Sequence, residues 1–314
     1  MDNRALLPDL KNYRRNFIAK GVSWPLTALP FSQDGLLKDL PSTTKKGWPW
    51  DIQAKPNSYN KKIKWPKITI VTPSFNQGLY LEKTIRSILL QNYPNLEYII
   101  MDGNSKDQSP DIIKKYSKWI SFYEIKQDNG QSHAINKGFS LASGDIYCWI
   151  NSDDFFTPNA LYNVVNSILE YPEKSFFYGW GYTSELVDGK EIICEFKPRK
   201  QYKRHIRIPS LVQPSCFWKK EIHEPIWEEL ICSMDYELWV RLIPKASLYY
   251  IKKFLSVATV HSAAKTQNEI FKKHWQADHE KIIKRHGAFT YFSWRWIHFE
   301  LRLLKLLEKL LNRK

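Results

Sequence analysis

Ile68-Thr69-Ile70-Val71-Thr72-Pro73-Ser74-Phe75-Asn76-Gln77 opens the folded part of this chain. Four successive β-branched residues, Ile68 to Val71, predict a strand. Asn76 offers a cap to a helix that carries Leu81, Ile85, Ile88 and Leu89 at helical spacing. The same unit then repeats. Leu96 to Met101 is a second apolar strand ending at Asp102, and Ser109-Pro110 opens a helix bearing Ile112, Ile113 and Tyr116. Phe122 to Ile125 reads as a third strand ending near Asp128, with a short helix over 131–141 that turns Ala134, Ile135 and Phe139 inward. Ile146 to Ile150 is a fourth strand, followed at once by Asn151-Ser152-Asp153-Asp154 and by a helix, capped at Thr157-Pro158, with Leu161, Val164, Val165 and Ile168. Such alternation predicts an α/β fold with a mostly parallel central sheet and helices on both faces. Phe176 to Tyr182 continues the sheet, Asp188-Gly189 suggests a hairpin, and Asp235 to Leu242 starts a later helix.

Before Lys67 the rhythm is absent. Pro8, Pro25, Pro30, Pro41, Pro49, Pro56 and Pro66 interrupt any helix longer than a few turns. Trp24, Trp48, Trp50 and Trp65 set the segment apart from a disordered tail. The expected organisation is an irregular N-terminal arm over 1–66, packed on an α/β domain over 67–265, and a helical tail over 266–314. Disorder up to about Lys64 is the competing view of the arm. In the tail, a helix from Trp294 to Leu311 would gather Trp296, Phe299, Leu303, Leu306, Leu307 and Leu310 on one side and basic residues on the other. That pattern suits an anionic membrane surface, or equally packing on its own domain or a partner.

The formal net charge of +15 attracts phosphates in general and does not choose among nucleic acid, nucleotides and anionic lipids. Lys and Arg are dispersed, heaviest in the arm and tail, so a nucleic-acid recognition element is not expected. Cys148, Cys194, Cys216 and Cys232 have no CxxC pair, which argues against zinc and for reduced thiols. No apolar run follows a basic start and no long uncharged stretch occurs. The expectation is therefore a chain without signal peptide or spanning helix, cytoplasmic and at most peripheral on the inner face of the cell membrane.

Chemistry in an open parallel sheet collects at the carboxyl ends of its strands. Here those ends carry Thr72, Pro73, Ser74 and Asn76, then Asp102, then Asp128, then Asn151, Ser152, Asp153 and Asp154. Each Asp alone is an ordinary turn or cap residue. Three successive strands delivering carboxylates to one rim point to a site. Adjacent Asp153 and Asp154 repel unless a cation joins them, and their hard oxygens suit Mg²⁺ or Mn²⁺. No G-x-G-x-x-G, P-loop or G-x-S-x-G is present, which disfavours dinucleotide folds, P-loop enzymes and esterases.

The motifs together resemble the family 2 glycosyltransferases of GT-A fold, over about residues 67–265. Ile68–Gln77 is similar to the family's opening strand and nucleotide-facing turn, and Ile99 to Ser105 to its second strand. Asp128 to Ser132, with Ala134, Asn136, Lys137 and Gly138, resembles the third signature. Trp149 to Asp154 takes the place of the metal-binding DXD element, with Asn151 where many members have Asp. Met234 to Leu242 resembles the late motif that carries the catalytic base. The resemblance implies an inverting transferase that uses Mn²⁺ or Mg²⁺ held by Asp153, Asp154 and His261. Asp235 is the expected base, with Glu237 the alternative. Thr72, Pro73, Ser74, Asn76, Asp102, Asp128, Gln131, Asn136, Lys137, Ser152, Asp153 and Gln213 are the expected nucleotide-sugar contacts. Asp102 would receive the base of the nucleotide and Lys137 would meet phosphate. The implied partners are a nucleotide-sugar donor, a UDP-sugar first, and a saccharide or lipid-linked acceptor in cell-surface polysaccharide or glycolipid synthesis. The alternatives are a nucleotidyltransferase, which should carry a Gly-rich basic loop after the first strand, and a protein that only binds nucleotide.

Overall fold

The computed structural model describes residues 7–286 except 30, 61, 188–189, 199–210 and 266, together with 299, 302, 303 and 306. The first four strands are β1 (Ile68–Ser74), β2 (Leu96–Asp102), β3 (Phe122–Ile125) and β4 (Ile146–Trp149), all mutually parallel. The sheet continues through β5 (Phe155–Phe156), β6 (Phe176–Val187), β7 (Lys190–Phe196), β8 (Cys216–Lys219) and β9 (Leu248–Val260). Its order is β3-β2-β1-β4-β8-β6-β9-β5, with β7 on β6. β8 runs against β4 and β6, while β6 and β9 run parallel to each other. The sheet is thus mostly parallel, as the alternation predicts. β6 and β7 form the expected hairpin, with Val187 opposite Lys190; its turn, Asp188-Gly189, lies outside the described residues.

Helices cover both faces. One holds α2 (Gly78–Leu89), α3 (Ser109–Lys115) and α5 (Ala160–Glu170), which bury Ile85, Ile88, Ile113 and Val164 against Ile68 and Ile70. The other holds α4 (Gln131–Leu141) and α6 (Met234–Leu242), which bury Ile135, Phe139, Leu238 and Trp239 against Val71 and Ile99. α7 (Lys272–His286) adds Ile282 to this second layer. Gly138 allows α4 its close approach, since a Cβ there would stand 2.5 Å from Val71 Cγ1.

The arm is part of the core. It contains one helix that the prolines left room for, α1 (Leu10–Ala19), capped by the Asp9 side chain. Phe17, Leu40, Tyr59 and Trp65 are buried. Arg86, 1% exposed, donates to the carbonyls of Pro41, Pro49 and Trp50. A buried guanidinium needs such acceptors, and here the arm supplies them. Most of the expected tail helix lies outside the described residues; Phe299, Leu303 and Leu306 are exposed. Among the described residues no helix is long and apolar enough to cross a membrane.

Candidate active site

The carboxylate loop after β4 is set by a polar stripe along α2 and just past its end. Thr84, Ser87 and Gln91 follow one another at helical spacing and are all buried. Thr84 Oγ1 donates to the carbonyls of Ser152 and Asp154 at 2.9 and 2.6 Å. Ser87 Oγ accepts from the Phe156 amide, and Gln91 Oε1 from that of Leu161. Ser152 is thereby a buried backbone support rather than an exposed contact.

Adjacent aspartates point opposite ways on this loop. Asp153 turns outward, with Oδ2 3.0 Å from Nε2 of His261, the residue after β9. Tyr80 of α2 stacks on the His261 ring at 4.5 Å. Asp154 turns inward and is 5% exposed. Its Oδ1 accepts from the Thr259 amide at 2.9 Å and its Oδ2 from Asn151 Nδ2 at 3.2 Å. Burial, then the charge of Asp153, pushes the Asp154 carboxyl well above the usual carboxylate range.

A divalent cation fits this pair in a definite way. Ligands on adjacent corners of an octahedron with bonds of about 2.1 Å stand about 3 Å apart, and Asp153 Oδ2 and His261 Nε2 have that separation. Asp154 lies deeper than the pair, and each of its oxygens accepts one hydrogen bond and keeps a second lone pair. Among the described residues no group of three or more His, Cys, Asp or Glu side chains could hold a metal. Mn²⁺ and Mg²⁺ do bind through one or two protein ligands when phosphates and water complete the shell.

A row of amides runs from this pair. Gln131 donates Nε2 to Asn151 Oδ1 at 2.8 Å and accepts at Oε1 from Lys265 Nζ at 2.8 Å. Asn151 is therefore a connector between Gln131 and Asp154, a use of both ends of an amide that Asp could not match. Lys265 was not anticipated. It follows His261 by one turn of loop and has no periodic or motif signal, so only the fold reveals it. Its second hydrogen bond is to the Ile231 carbonyl at 2.6 Å. Burial pushes its ammonium below the ordinary lysine value, opposed by surrounding negative charges that include Asp235 and Asp153.

Asp235 is half-buried in the first turn of α6, where its Oδ1 accepts from the Tyr236 amide at 2.7 Å. Burial raises its carboxyl above the usual range. Glu237, the alternative base, is fully buried and bonds Arg241 Nε at 2.9 Å and His286 Nε2 at 2.9 Å, with Arg285 at 3.4 Å. Arg285 and His286 tie α7 to α6. The turn before α6 is held by Asp278 of α7, whose Oδ2 accepts from the amides of Ile231, Cys232 and Ser233 at 3.0, 2.7 and 2.9 Å. A cleft of about 430 Å³ between these helices is lined by Ser233, Tyr236, Trp275, Gln276 and His279.

The nucleotide contacts divide. Asp102, 2% exposed, accepts from Ser74 Oγ at 2.9 Å and from Ser105 Oγ and N at 2.7 and 2.8 Å. It and Ser74 tie the ends of β1 and β2 and leave no open carboxylate for a base. Thr72 and Pro73 are buried, and Thr72 Oγ1 accepts from Tyr98 Oη at 3.3 Å. Asn76, left-handed at φ 52°, does not cap α2; its Oδ1 receives the Lys106 amide. Asn136 is fully buried on the backbone of Ile226, and Lys137 pairs with Glu124 beneath α1. Neither is open to a phosphate. Gln213 donates to the Trp149 carbonyl at 2.9 Å, while its Oε1 is buried without a partner among the described residues. Asp128 is half-buried at the rim. A Cβ at Gly103 would stand 3.1 Å from both Asp128 Oδ2 and the exposed Phe75 ring, so that carboxylate and that ring flank one backbone position.

The description "Glycosyl transferase family 2" belongs to the family model that matches residues 69–224. An uncharacterized glycosyltransferase of Rickettsia typhi is 28% identical over 251 residues, which cover 74% of this chain and 76% of the relative. One of Rickettsia prowazekii is 27% identical over 240 residues, covering 70% and 73%. Among solved structures, residues 1–349 of TarS from S. aureus share the fold with a TM-score of 0.54 at 16% identity, over 70% of this chain and 65% of that one. This chain thus spans just under two thirds of that protein segment.

Proposed function

Since this chain belongs to glycosyl transferase family 2 through residues 69–224, we propose that it moves a sugar from a nucleoside-diphosphate sugar to an acceptor hydroxyl, with inversion at the anomeric carbon. The observation that carries the proposal is the meeting of Asp153 and His261 at 3.0 Å, with Asp153 and Asp235 both within electrostatic reach of Lys265. Asp235 takes the proton of the acceptor hydroxyl as its oxygen bonds to the anomeric carbon. The bond from that carbon to the diphosphate breaks, and its electron pair leaves on the phosphate oxygen. One displacement from the opposite face inverts the centre. A general base acts best with a pKa near the working pH, and burial moves Asp235 in that direction.

Asp153 and His261 would hold Mn²⁺ or Mg²⁺, which when bound neutralises part of the diphosphate charge. We assign the nucleotide base to the exposed Phe75 ring beside Asp128, and the acceptor to the cleft along Tyr236 and Trp275, where aromatic faces suit sugar C–H groups. A UDP-sugar is the donor we favour; TarS from S. aureus has been solved in complex with UDP-GlcNAc. A saccharide or lipid-linked acceptor at a membrane surface, in cell-surface polysaccharide synthesis, completes the reading.

Thermal shift and calorimetry with UDP, GDP, dTDP and CMP, each with and without Mn²⁺, test it. Metal-dependent binding of one nucleotide by the wild type, lost in Asp153→Ala, is the expected result. Binding of none would overturn the proposal.

A further inference from the structure

We propose that Lys265 is a donor-binding residue that receives the diphosphate of the nucleotide sugar, held for that task by Gln131. This rests on the reading of the chain as a nucleotide-sugar transferase.

Lys265 carries a charge that Asp278, Asp235 and Asp153 offset only from a distance. Lys265 Nζ is held by two neutral acceptors, Gln131 Oε1 at 2.8 Å and the Ile231 carbonyl at 2.6 Å. Among the described residues it has no ion pair. A half-buried ammonium loses hydration, and two neutral dipoles replace only part of it. Of its three donors two are used, so one remains for a ligand.

Its position narrows what that ligand is. Gln131 also holds Asn151 at 2.8 Å, so Lys265 is fastened to the loop that carries Asp153. It lies within electrostatic reach of both Asp153 and Asp235, the two ends of the proposed reaction. An anion between these carboxylates is repelled unless cations offset them. The group that gains negative charge there as the glycosidic bond breaks is the leaving diphosphate, and Lys265 is placed to take up that charge. Two other lysines are paired: Lys137 with Glu124, and Lys83 with Glu191 at 3.9 Å.

The competing role is structural, since Lys265 also bonds the Ile231 carbonyl next to the turn before α6. Calorimetry on the full chain with UDP and with uridine, in Mn²⁺, separates the two. Lys265→Met keeps the aliphatic stem and removes the charge. The expected result is roughly a tenfold to hundredfold loss of UDP affinity, uridine affinity unchanged, and recovery of most UDP affinity in Lys265→Arg. Equal UDP binding by wild type and Lys265→Met would overturn the inference alone. So would a parallel loss for UDP and uridine with a lowered Tm, which marks a structural role. If the wild type binds neither, the same comparison is made with GDP and guanosine and with dTDP and thymidine; binding of none of these, nor of CMP, overturns the transferase reading itself.

Discussion

Asp153 and His261 stand 3.0 Å apart, Oδ2 to Nε2, across 108 residues of sequence. β9 makes the contact by delivering His261 beside the loop that follows β4. The pair predicts a cation site with two protein ligands. Removing either, in Asp153→Ala or His261→Ala, should weaken Mn²⁺ binding by about tenfold or more. Titration followed by the Mn²⁺ spin-resonance signal reads this directly. Asp154→Asn should behave otherwise, lowering Tm through its bonds to Thr259 and Asn151 while Mn²⁺ affinity falls less. Equal loss of metal in all three variants would restore Asp154 as a ligand.

The second prediction concerns pH. The Asp235 carboxyl is raised by burial. A base must be ionised, so the acid limb of kcat/KM should lie above the ordinary carboxylate range, with activity rising as pH rises through it. The stability sign is opposite. A carboxyl with a raised folded-state pKa stabilises below its unfolded pKa, and that contribution is lost as pH rises through the folded value. Asp235→Asn should therefore lower turnover by about 10²–10⁴-fold without lowering Tm at neutral pH. A pH–rate profile and a melting curve on one preparation check both halves.

Glu237 supplies the contrast, two residues away. Burial alone would raise its carboxyl, but the hydrogen bonds from His286 and Arg241 hold it below its ordinary value. Its contribution is present above the unfolded carboxylate pKa and is lost as pH falls through the folded one. Glu237→Gln removes the carboxylate shared by Arg241, Arg285 and His286, while Arg241 keeps Glu224, which should cost about 1–3 kcal/mol. Denaturant melts should show that loss near neutral pH and a smaller one at acid pH. An unchanged melt with lost turnover would instead return Glu237 to the chemistry.

These cases mark what could be read from sequence. The strands were legible because a buried parallel sheet demands apolar β-branched runs, and Ile68 to Val71 is one. The rim of carboxylates was legible because parallel strands present their ends together. The direction of each side chain was not. Asp153 and Asp154 are neighbours, and the difference between them is made by Thr84, Thr259 and His261. Asn136 was expected at the ligand because it falls in the third motif of the family resemblance, whereas its bond to Ile226, 90 residues away, is made only by the fold. Lys265 had no local pattern at all. The arm looked irregular because its prolines were visible, whereas the carbonyls it offers to Arg86 were not.

The last prediction joins α7 to the catalytic turn. Asp278 is 1% exposed and collects three successive amides, from Ile231 to Ser233. It thereby fixes the entry to α6 one turn before Asp235, although it touches no reacting group. Asp278→Ala leaves those donors without their acceptor, at about 1–3 kcal/mol for a buried one. The loss should be local: hydrogen exchange at the amides of residues 231–233 should accelerate well beyond that of the β1 and β2 amides. Turnover should fall further than UDP affinity, because of the proposed donor contacts only Lys265, through the Ile231 carbonyl, leans on this turn. Asp278→Asn, which keeps one carbonyl acceptor, should recover part of both the protection and the turnover. Uniform acceleration of exchange throughout the sheet would show instead that Asp278 supports the whole domain rather than the turn that carries the base.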